Sequence, residues 1–340
     1  MKSFEWTQPE TIAEAVAALG HPGAMALAGG VDLLDRLKER LESPSRLVSL
    51  RKLPGLGAIQ IEAGAARIGA NVTLAQLAAD PGLRSAHPIL AEAAGHAATP
   101  QLRAMATLGG NLAQRPRCWY YRSEAFACRK KGGSECFALD GDHSLHAIFG
   151  NRVCAATHPS TIATALVALG AKVAIAGKRA REVELASFFV APEADVSREV
   201  DLAPGELITG VTVPAAPAGR RAAYTKQVAK QSFDWPTVDV AVALTMDGRT
   251  CRQATIVMGA VAPVPRRAAE AERVLAGGVV DVMAAGRAAR AAVAAATPLR
   301  GNDHKVPILE AVLARTILEA AGVTAPGPAG AGTIAAGGKP

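Results

Sequence analysis

Four of the chain's five cysteines, Cys118, Cys128, Cys136 and Cys154, fall within 37 of its 340 residues, and only Cys251 lies elsewhere. Any fold must therefore gather one sulfur-rich segment into a local site. The spacing Cys-x9-Cys-x7-Cys-x17-Cys lacks the Cys-x2-Cys knuckle of zinc fingers and bacterial ferredoxins. Its surroundings are more informative. Between Asn111 and His158 lie Trp119, Tyr120, Tyr121, Phe126, Phe137 and Phe149, six of the chain's 13 aromatics, with Arg115, Arg117, Arg122, Arg129, Lys130 and Lys131 among them. Cations lower the cost of burying an anionic group, and aromatic rings limit water access. Gly132-Gly133 lets the backbone wrap tightly between the second and third sulfurs. An iron–sulfur cubane, a structural zinc, two disulfides and unrelated buried thiols all fit these residues. Cys251, in a predicted strand, reads as a separate packed or surface thiol.

Two glycine turns carry a second signal. Ala28-Gly29-Gly30-Val31-Asp32-Leu33 follows an apolar run and opens a helix, and Thr107-Leu108-Gly109-Gly110-Asn111 follows another apolar helix. Paired glycines let main-chain N–H groups approach a diphosphate closely. Neither turn is the Gly-x-Gly-x-x-Gly fingerprint, and no Walker lysine follows. His158, beside Pro159, reads as structural, and no nucleophile–base set is present in the sequence.

Composition limits the alternatives. Half the chain is hydrophobic, which supports a sizeable core, and only 4% is aromatic, so that core must be built mainly from Ala, Val and Leu. The formal charge of +7 is spread along the chain; it favours an anionic ligand, but no nucleic-acid module accompanies it. Of the two longest stretches without Asp, Glu, Lys or Arg, Val153 to Ala171 contains His158, Pro159 and Ser160 and the other is the Gly-, Ala- and Pro-rich C-terminal stretch, so no membrane span is expected. The opening Met1-Lys-Ser-Phe-Glu-Trp6 lacks the apolar run of a secretory signal.

Periodicity predicts helices over Thr11–Leu19 and Val31–Leu41, a strand at Leu47–Leu50, and a hairpin over Ala58–Leu74. It also predicts a helical stretch from Ala75 to Ala98, broken at Pro81 and Pro88. A helix at Thr161–Leu169 and strands at Lys172–Ala176 and Glu206–Pro214 follow. Ala215–Gly219 reads as a domain boundary. Beyond it come strands at Ala222–Val228, Thr237–Met246 and Ala254–Val261, then helices over Pro265–Leu275, Val279–Ala296 and Ile308–Ala321. Residues 324–340, mostly Gly, Ala and Pro, read as a flexible tail.

The ordered set Ala28–Leu33, Thr107–Asn111, Glu206-Leu-Ile-Thr-Gly-Val-Thr-Val-Pro214, Tyr224-Thr-Lys226 and Gly259-Ala-Val-Ala-Pro263 resembles the FAD-binding subunit of the xanthine dehydrogenase and carbon monoxide dehydrogenase family of molybdenum hydroxylases. The likeness runs over about residues 1–322. Arg115-Pro-Arg-Cys-Trp-Tyr-Tyr121, together with Cys128, Cys136 and Cys154-Ala-Ala-Thr-His-Pro159, resembles the extra iron–sulfur loop of the flavin subunit of bacterial periplasmic-type aldehyde oxidoreductases. The flavin subunit of 4-hydroxybenzoyl-CoA reductase carries a similar loop.

The resemblance implies an α+β fold: a two-subdomain FAD-binding fold of the vanillyl-alcohol-oxidase (PCMH) type, then a C-terminal α+β domain of the CO dehydrogenase flavoprotein type. The expected domains are 1–216, with subdomains about 1–55 and 56–216 and an iron–sulfur loop about 112–158, and then 220–322. FAD would be held by Ala26, Leu27, Ala28, Gly29, Gly30, Val31, Asp32 and Leu33, by Thr107, Leu108, Gly109, Gly110 and Asn111, and by Thr161, Ile208 and Lys226. Thr161 stands where the family has an aspartate, so a hydroxyl replaces a charge there. Ile208 would pack on the flavin ring and Lys226 would lie at its edge. Cys118, Cys128, Cys136 and Cys154 would ligate a [4Fe–4S] cluster.

The implied function is an electron-transfer subunit of a molybdenum-dependent aldehyde oxidoreductase. A large partner would hold the molybdenum cofactor and a small partner the [2Fe–2S] clusters, and an external acceptor would take the electrons. No catalytic residue of substrate oxidation is expected in this chain. The competing readings are a 4-hydroxybenzoyl-CoA reductase-like flavin subunit and a metal-stabilised scaffold without redox chemistry. A subunit without its own signal would be cytoplasmic, or periplasmic by export with a signal-bearing partner.

Overall fold

The computed structural model describes residues 2–230 and 232–324. The expected tail lies, from residue 325 onward, outside the described residues. Three sheets organise the chain. The first is parallel and three-stranded, in the order β1 (Glu5–Thr7), β3 (Arg46–Ser49), β2 (Ala24–Leu27). Alternation along β3 sends Leu47 and Val48 to opposite faces. Leu47 packs with Leu27, Leu33 and Leu37 under helix Leu33–Lys38, and Val48 packs with Ala15, Ala18 and Leu19 of helix Ile12–Leu19. The first of these two helices in the chain starts on a Thr11 cap, whose hydroxyl accepts from Glu14 N at 3.2 Å.

The second sheet is antiparallel, in the order β4 (Ile59–Glu62), β5 (Ala65–Gly69), β8 (Leu207–Val213), β6 (Lys172–Ala176), β7 (Arg181–Glu184). Helices Leu74–Ala79, Pro81–Ala86, Pro88–Gly95 and Thr161–Ala168 supply residues to the core beneath it. Prolines set the breaks in that run, because each of Pro81, Pro88 and Pro100 occupies a first helical turn, where a missing N–H is harmless. Every residue of Thr161–Ala168 is buried.

The third sheet, also antiparallel, runs β12 (Arg266–Arg267), β11 (Thr250–Gly259), β10 (Val238–Asp247), β9 (Arg220–Gln227). Helices Ala269–Leu275, Val282–Val293 and Lys305–Ala321 cover one face of it. The turn between β8 and β9 ends at Gly219, with φ +77° and with Met246 O only 2.3 Å from where a Cβ would stand. Tyr224, Ala241 and Val257 reach from this sheet into the core under the second one, so the two layers share a buried boundary.

Several expected elements are adjusted. The helix predicted over Val31–Leu41 spans only Leu33–Lys38, because Arg40 takes a left-handed φ of +57°. Arg266 and Arg267, expected in a helix, pair with Met258 and Val257 of β11. The last helix begins at Lys305, three residues before the expected Ile308, because Pro307 sits in the first turn. Strands β1 and β7 and helix Pro100–Met105 were not predicted; with three to six residues each, they are too short to establish a period.

Candidate functional site

Residues 113–160 contribute no strand to the three sheets, and their only helical piece is a single turn, Arg129–Lys131. Hydrogen bonds, ion pairs and ring contacts shape the segment. Cys128 O accepts from Lys131 N at 2.8 Å and from Gly133 N at 3.1 Å. Gly132 has φ +89°, and a Cβ on Gly133 would stand 1.6 Å from Ala127 O, so the wrap anticipated between Cys128 and Cys136 needs both glycines. Tyr120 and Phe137 each pack against Phe126, at ring distances of 5.0 and 5.2 Å.

Cys118, Cys128, Cys136 and Cys154 line one small cavity together with Tyr120, Tyr121, Arg129, Lys130 and Phe137. Cys128 and Cys154 are buried, and Cys118 and Cys136 are half-buried. All five cysteines are free thiols, which removes the two-disulfide reading. Cys251 is fully buried in β11, in the core of the third sheet. Among the described residues, no group of three or more His, Cys, Asp or Glu is arranged to hold a metal ion.

The segment is fastened on three sides. On the first, Asp32 Oδ1 pairs with Arg122 Nη2 at 2.7 Å and Arg117 Nη2 at 2.9 Å, while its Oδ2 pairs with Arg36 Nε at 3.0 Å and accepts from Arg115 N at 3.2 Å. Asp32 precedes helix Leu33–Lys38, yet makes no capping bond, because its carboxylate is turned to the arginines. Burial pushes its pKa up, but Arg117, Arg36 and Arg122 together outweigh burial and hold it below the ordinary value. On the second side, Glu199 pairs with Arg115 Nε and Lys130 Nζ, both at 2.6 Å. On the third, the C-terminal layer grips residues 143–151: Gly301 N donates to His143 Nε2 at 2.8 Å, Lys305 Nζ to Leu145 O at 3.2 Å, and Asn151 Nδ2 to Thr297 O at 2.8 Å.

The two glycine turns face one cleft. Ala26 to Leu33 line it on one side, and Thr107, Gly110, Asn111 and Gln114 line it on the other, around about 600 Å³ of open volume. The glycines are required by contact. A Cβ on Gly29 would stand 1.9 Å from Met105 O, and Gly30 has φ +77°. Thr107 Oγ1 accepts from Gly110 N at 3.2 Å, and Asn111 Oδ1 accepts from Ser160 Oγ at 2.5 Å, which joins the second turn to the start of helix Thr161–Ala168. Leu108 and Gly109 face inward: Leu108 is in the core, and a Cβ on Gly109 would meet Ala70.

A larger cleft of about 920 Å³ continues from the first, sharing Val31, Ala106, Asn111, Gln114 and Arg117 with it. Thr161 and Lys226 line this continuation, with Phe233, Trp235 and Pro236 beside them. Lys226 Nζ donates to His96 O at 2.9 Å, and burial lowers its pKa. Ile208 stands apart: it is buried in the core, pairs with Ile175 across β6 and β8, and is not among the residues lining these clefts. His158 packs on Phe189 at 4.5 Å and accepts from Ser160 N, and burial pushes its pKa down to about 3; it also lines the cleft that Arg117 and Cys118 border.

Arg117 and Gln114 are the site residues that the sequence did not reveal. Arg117 borders both clefts and a third that reaches Cys118, its guanidinium lies 5.0 Å from the Trp235 ring, and among the described residues its buried Nε has no partner. A cleft walled by glycine main chain on two sides, with an unpaired guanidinium nitrogen beside it, suits an elongated dinucleotide with an anionic centre. The only sequence signal for Arg117 was its place beside Cys118.

Comparison with known proteins agrees with that chemistry. Residues 2–216 match the family described as FAD binding domain in molybdopterin dehydrogenase, and residues 223–319 match the CO dehydrogenase flavoprotein C-terminal domain. The aldehyde oxidoreductase FAD-binding subunit PaoB of Escherichia coli (strain K12) is 36% identical over 329 residues, covering 94% of this chain and 99% of that protein. The carbon monoxide dehydrogenase medium chain of Afipia carboxidovorans is 32% identical over 314 residues, covering 90% of each chain. Among solved structures, quinoline 2-oxidoreductase from Pseudomonas putida 86 superposes with a TM-score of 0.74 at 28% identity, covering 95% of this chain and 99% of that one. Carbon monoxide dehydrogenase from Hydrogenophaga pseudoflava does so with a TM-score of 0.74 at 29% identity, covering 94% and 97%. With a glycine-walled cleft, two matching domains and relatives aligned over nine-tenths or more of its length, the chain belongs to the FAD-binding medium subunits of the molybdenum hydroxylases.

Proposed function

We propose that this medium subunit is the FAD- and [4Fe–4S]-containing electron-transfer component of a molybdenum-dependent aldehyde oxidoreductase. In this reading a large molybdenum subunit and a small [2Fe–2S] subunit deliver electrons, and an external acceptor removes them. The observation that carries it is the adjacency of two sites: a dinucleotide cleft bounded by Ala26–Leu33, Thr107, Gly110 and Asn111, and a cavity lined by four free thiols, with Arg117 and Cys118 bordering the cleft between them.

The chain's residues bind, orient and exclude water. Main chain at Gly29, Gly30 and Gly110 can approach a diphosphate, Arg117 supplies positive charge beside it, and Thr161 offers a hydroxyl farther along the cleft. Lys226 and Trp235 line its wider end. Bound FAD supplies the exchange of electrons between iron–sulfur centres and acceptor.

For the cluster, the donor set fits. Four thiols line one cavity, and Arg129 and Lys130 beside them would offset the negative charge of a thiolate-bound cubane. A cubane spreads its ligands around four irons and four sulfides, so its thiolates stand farther apart than around a single ion. A compact single-ion site, absent among the described residues, is not what a cubane requires. The division into 1–216, with its loop at about 112–158, and 220–322 is part of the same proposal.

The test is flavin, iron and acid-labile sulfide analysis of the subunit purified with its co-expressed partners, with the metal content of the partners subtracted. One FAD and four irons per chain support the reading. Flavin without additional iron removes the cluster, and zinc in its place would make the loop a structural staple.

A further inference from the structure

Cys118 is distinguished from the other three grouped thiols by a histidine against its sulfur. His146 Nε2 lies 3.2 Å from Cys118 Sγ, and His146 is only 3% exposed. The ring is held there by contacts independent of the cysteine. The His146 carbonyl accepts from Lys305 Nζ at 3.0 Å and Asn302 Nδ2 at 3.2 Å, which pins its backbone to the C-terminal layer. The Trp119 ring meets the imidazole edge to face at 4.8 Å and 83°. Among the described residues, Nδ1 is buried without a hydrogen-bond partner.

We propose that His146 is a positioning residue for the iron–sulfur cluster, donating Nε2–H to Cys118 Sγ and thereby raising the cluster's reduction potential. The inference rests on the cluster reading above. A thiolate bound to iron has no proton to give and can only accept. The proton shared by this pair therefore belongs on Nε2, and Nδ1 is the bare nitrogen of a neutral ring. An N–H directed at a ligating sulfur withdraws charge from it and stabilises the reduced, more negative cluster, and hydrogen bonds to sulfur are among the main controls on such potentials. Lys305, Asn302 and Trp119 fix the direction of that N–H, so the C-terminal layer acts on the cluster through His146.

The assembled complex carrying His146→Leu or His146→Gln tests this by EPR-monitored redox titration, with the cluster's signal resolved from the partner [2Fe–2S] signals and iron measured in parallel. With iron retained, His146→Leu should lower the potential, and His146→Gln, whose amide can still donate, should restore part of the difference. An unchanged potential in iron-replete His146→Leu overturns the proposal. Where a substitution sheds iron, pulsed EPR of the unsubstituted complex grown on isotope-labelled histidine decides. Coupling of the reduced cluster to one histidine nitrogen and one exchangeable proton supports the assignment, and its absence overturns it. Absence of the additional iron from the unsubstituted complex refutes the cluster itself, and metal analysis shows this before any variant is made.

Discussion

Asp32 Oδ1 and Arg122 Nη2 meet at 2.7 Å across 90 residues of chain. Asp32 belongs to the first glycine turn, and Arg122 to the segment that carries the cysteines, so one ion pair ties that turn to that segment. Arg117, held by the same carboxylate, borders the cleft between the two glycine turns. What orders the turn therefore helps to order the segment.

Replacing Asp32 with Asn leaves Arg36, Arg117 and Arg122 facing one another without their shared anion. Loss of one partner from a largely buried ion pair costs about 3 kcal/mol, and flavin and iron content should fall together. Because the native carboxyl holds its proton less tightly than the unfolded one, its stabilisation is full above the ordinary carboxylate range and is lost as pH falls through the lowered native value. Urea unfolding across an acid series should thus show a shallower acid slope for Asp32→Asn than for the unsubstituted protein.

Glycine substitutions separate contact from backbone strain. Gly29→Ala places a methyl 1.9 Å from Met105 O and should deplete bound flavin strongly. Gly132→Ala meets nothing within 4 Å and faces only its φ of +89°, a strain of about 1 kcal/mol. Flavin absorbance per chain and thermal midpoints distinguish the two cases, and a fully flavinated Gly29→Ala would remove that turn from the site.

Cysteine replacement tests the sulfur quartet. Cys128→Ser should lose the additional iron while keeping much of the flavin, and Cys251→Ser, buried in β11, should keep both. Equal iron in Cys128→Ser and the unsubstituted chain would end the ligand assignment.

A second pH effect arises in the C-terminal layer. Burial pushes the Asp239 carboxyl up to about 7, and it accepts from the Tyr224 hydroxyl at 3.2 Å. A group whose native pKa is raised stabilises fully below its unfolded value, and that contribution is lost as pH climbs through about 7. Asp239→Asn keeps an acceptor for Tyr224 and should flatten this decline, gaining stability relative to the unsubstituted protein as pH rises from 5 to 8. Denaturant midpoints over that interval check the sign.

Much of the fold was readable because its signals are local. Pro81 and Pro88 marked helix breaks, alternation marked the hairpin of β4 and β5, and Gly29-Gly30 marked a close backbone approach. The long-range parts were not readable. No local pattern indicates that Asp32 will meet Arg122, or that Lys305, at the start of a helix, will be fully buried and bonded to carbonyls at Leu145, His146 and Ala260.

The fastening of residues 143–151 by Gly301, Lys305 and Thr297 also bears on modularity. Along the chain the cysteine segment looks like an insert that could be excised or grafted into a cysteine-free relative. In space it is a keystone shared by the amino-terminal and carboxyl-terminal halves. A graft would need the receiving acid at position 32 and the clamp near position 301 as well as the four sulfurs, and truncation ahead of the last helix would strip the Lys305 contacts to Leu145 and His146 without altering any sulfur.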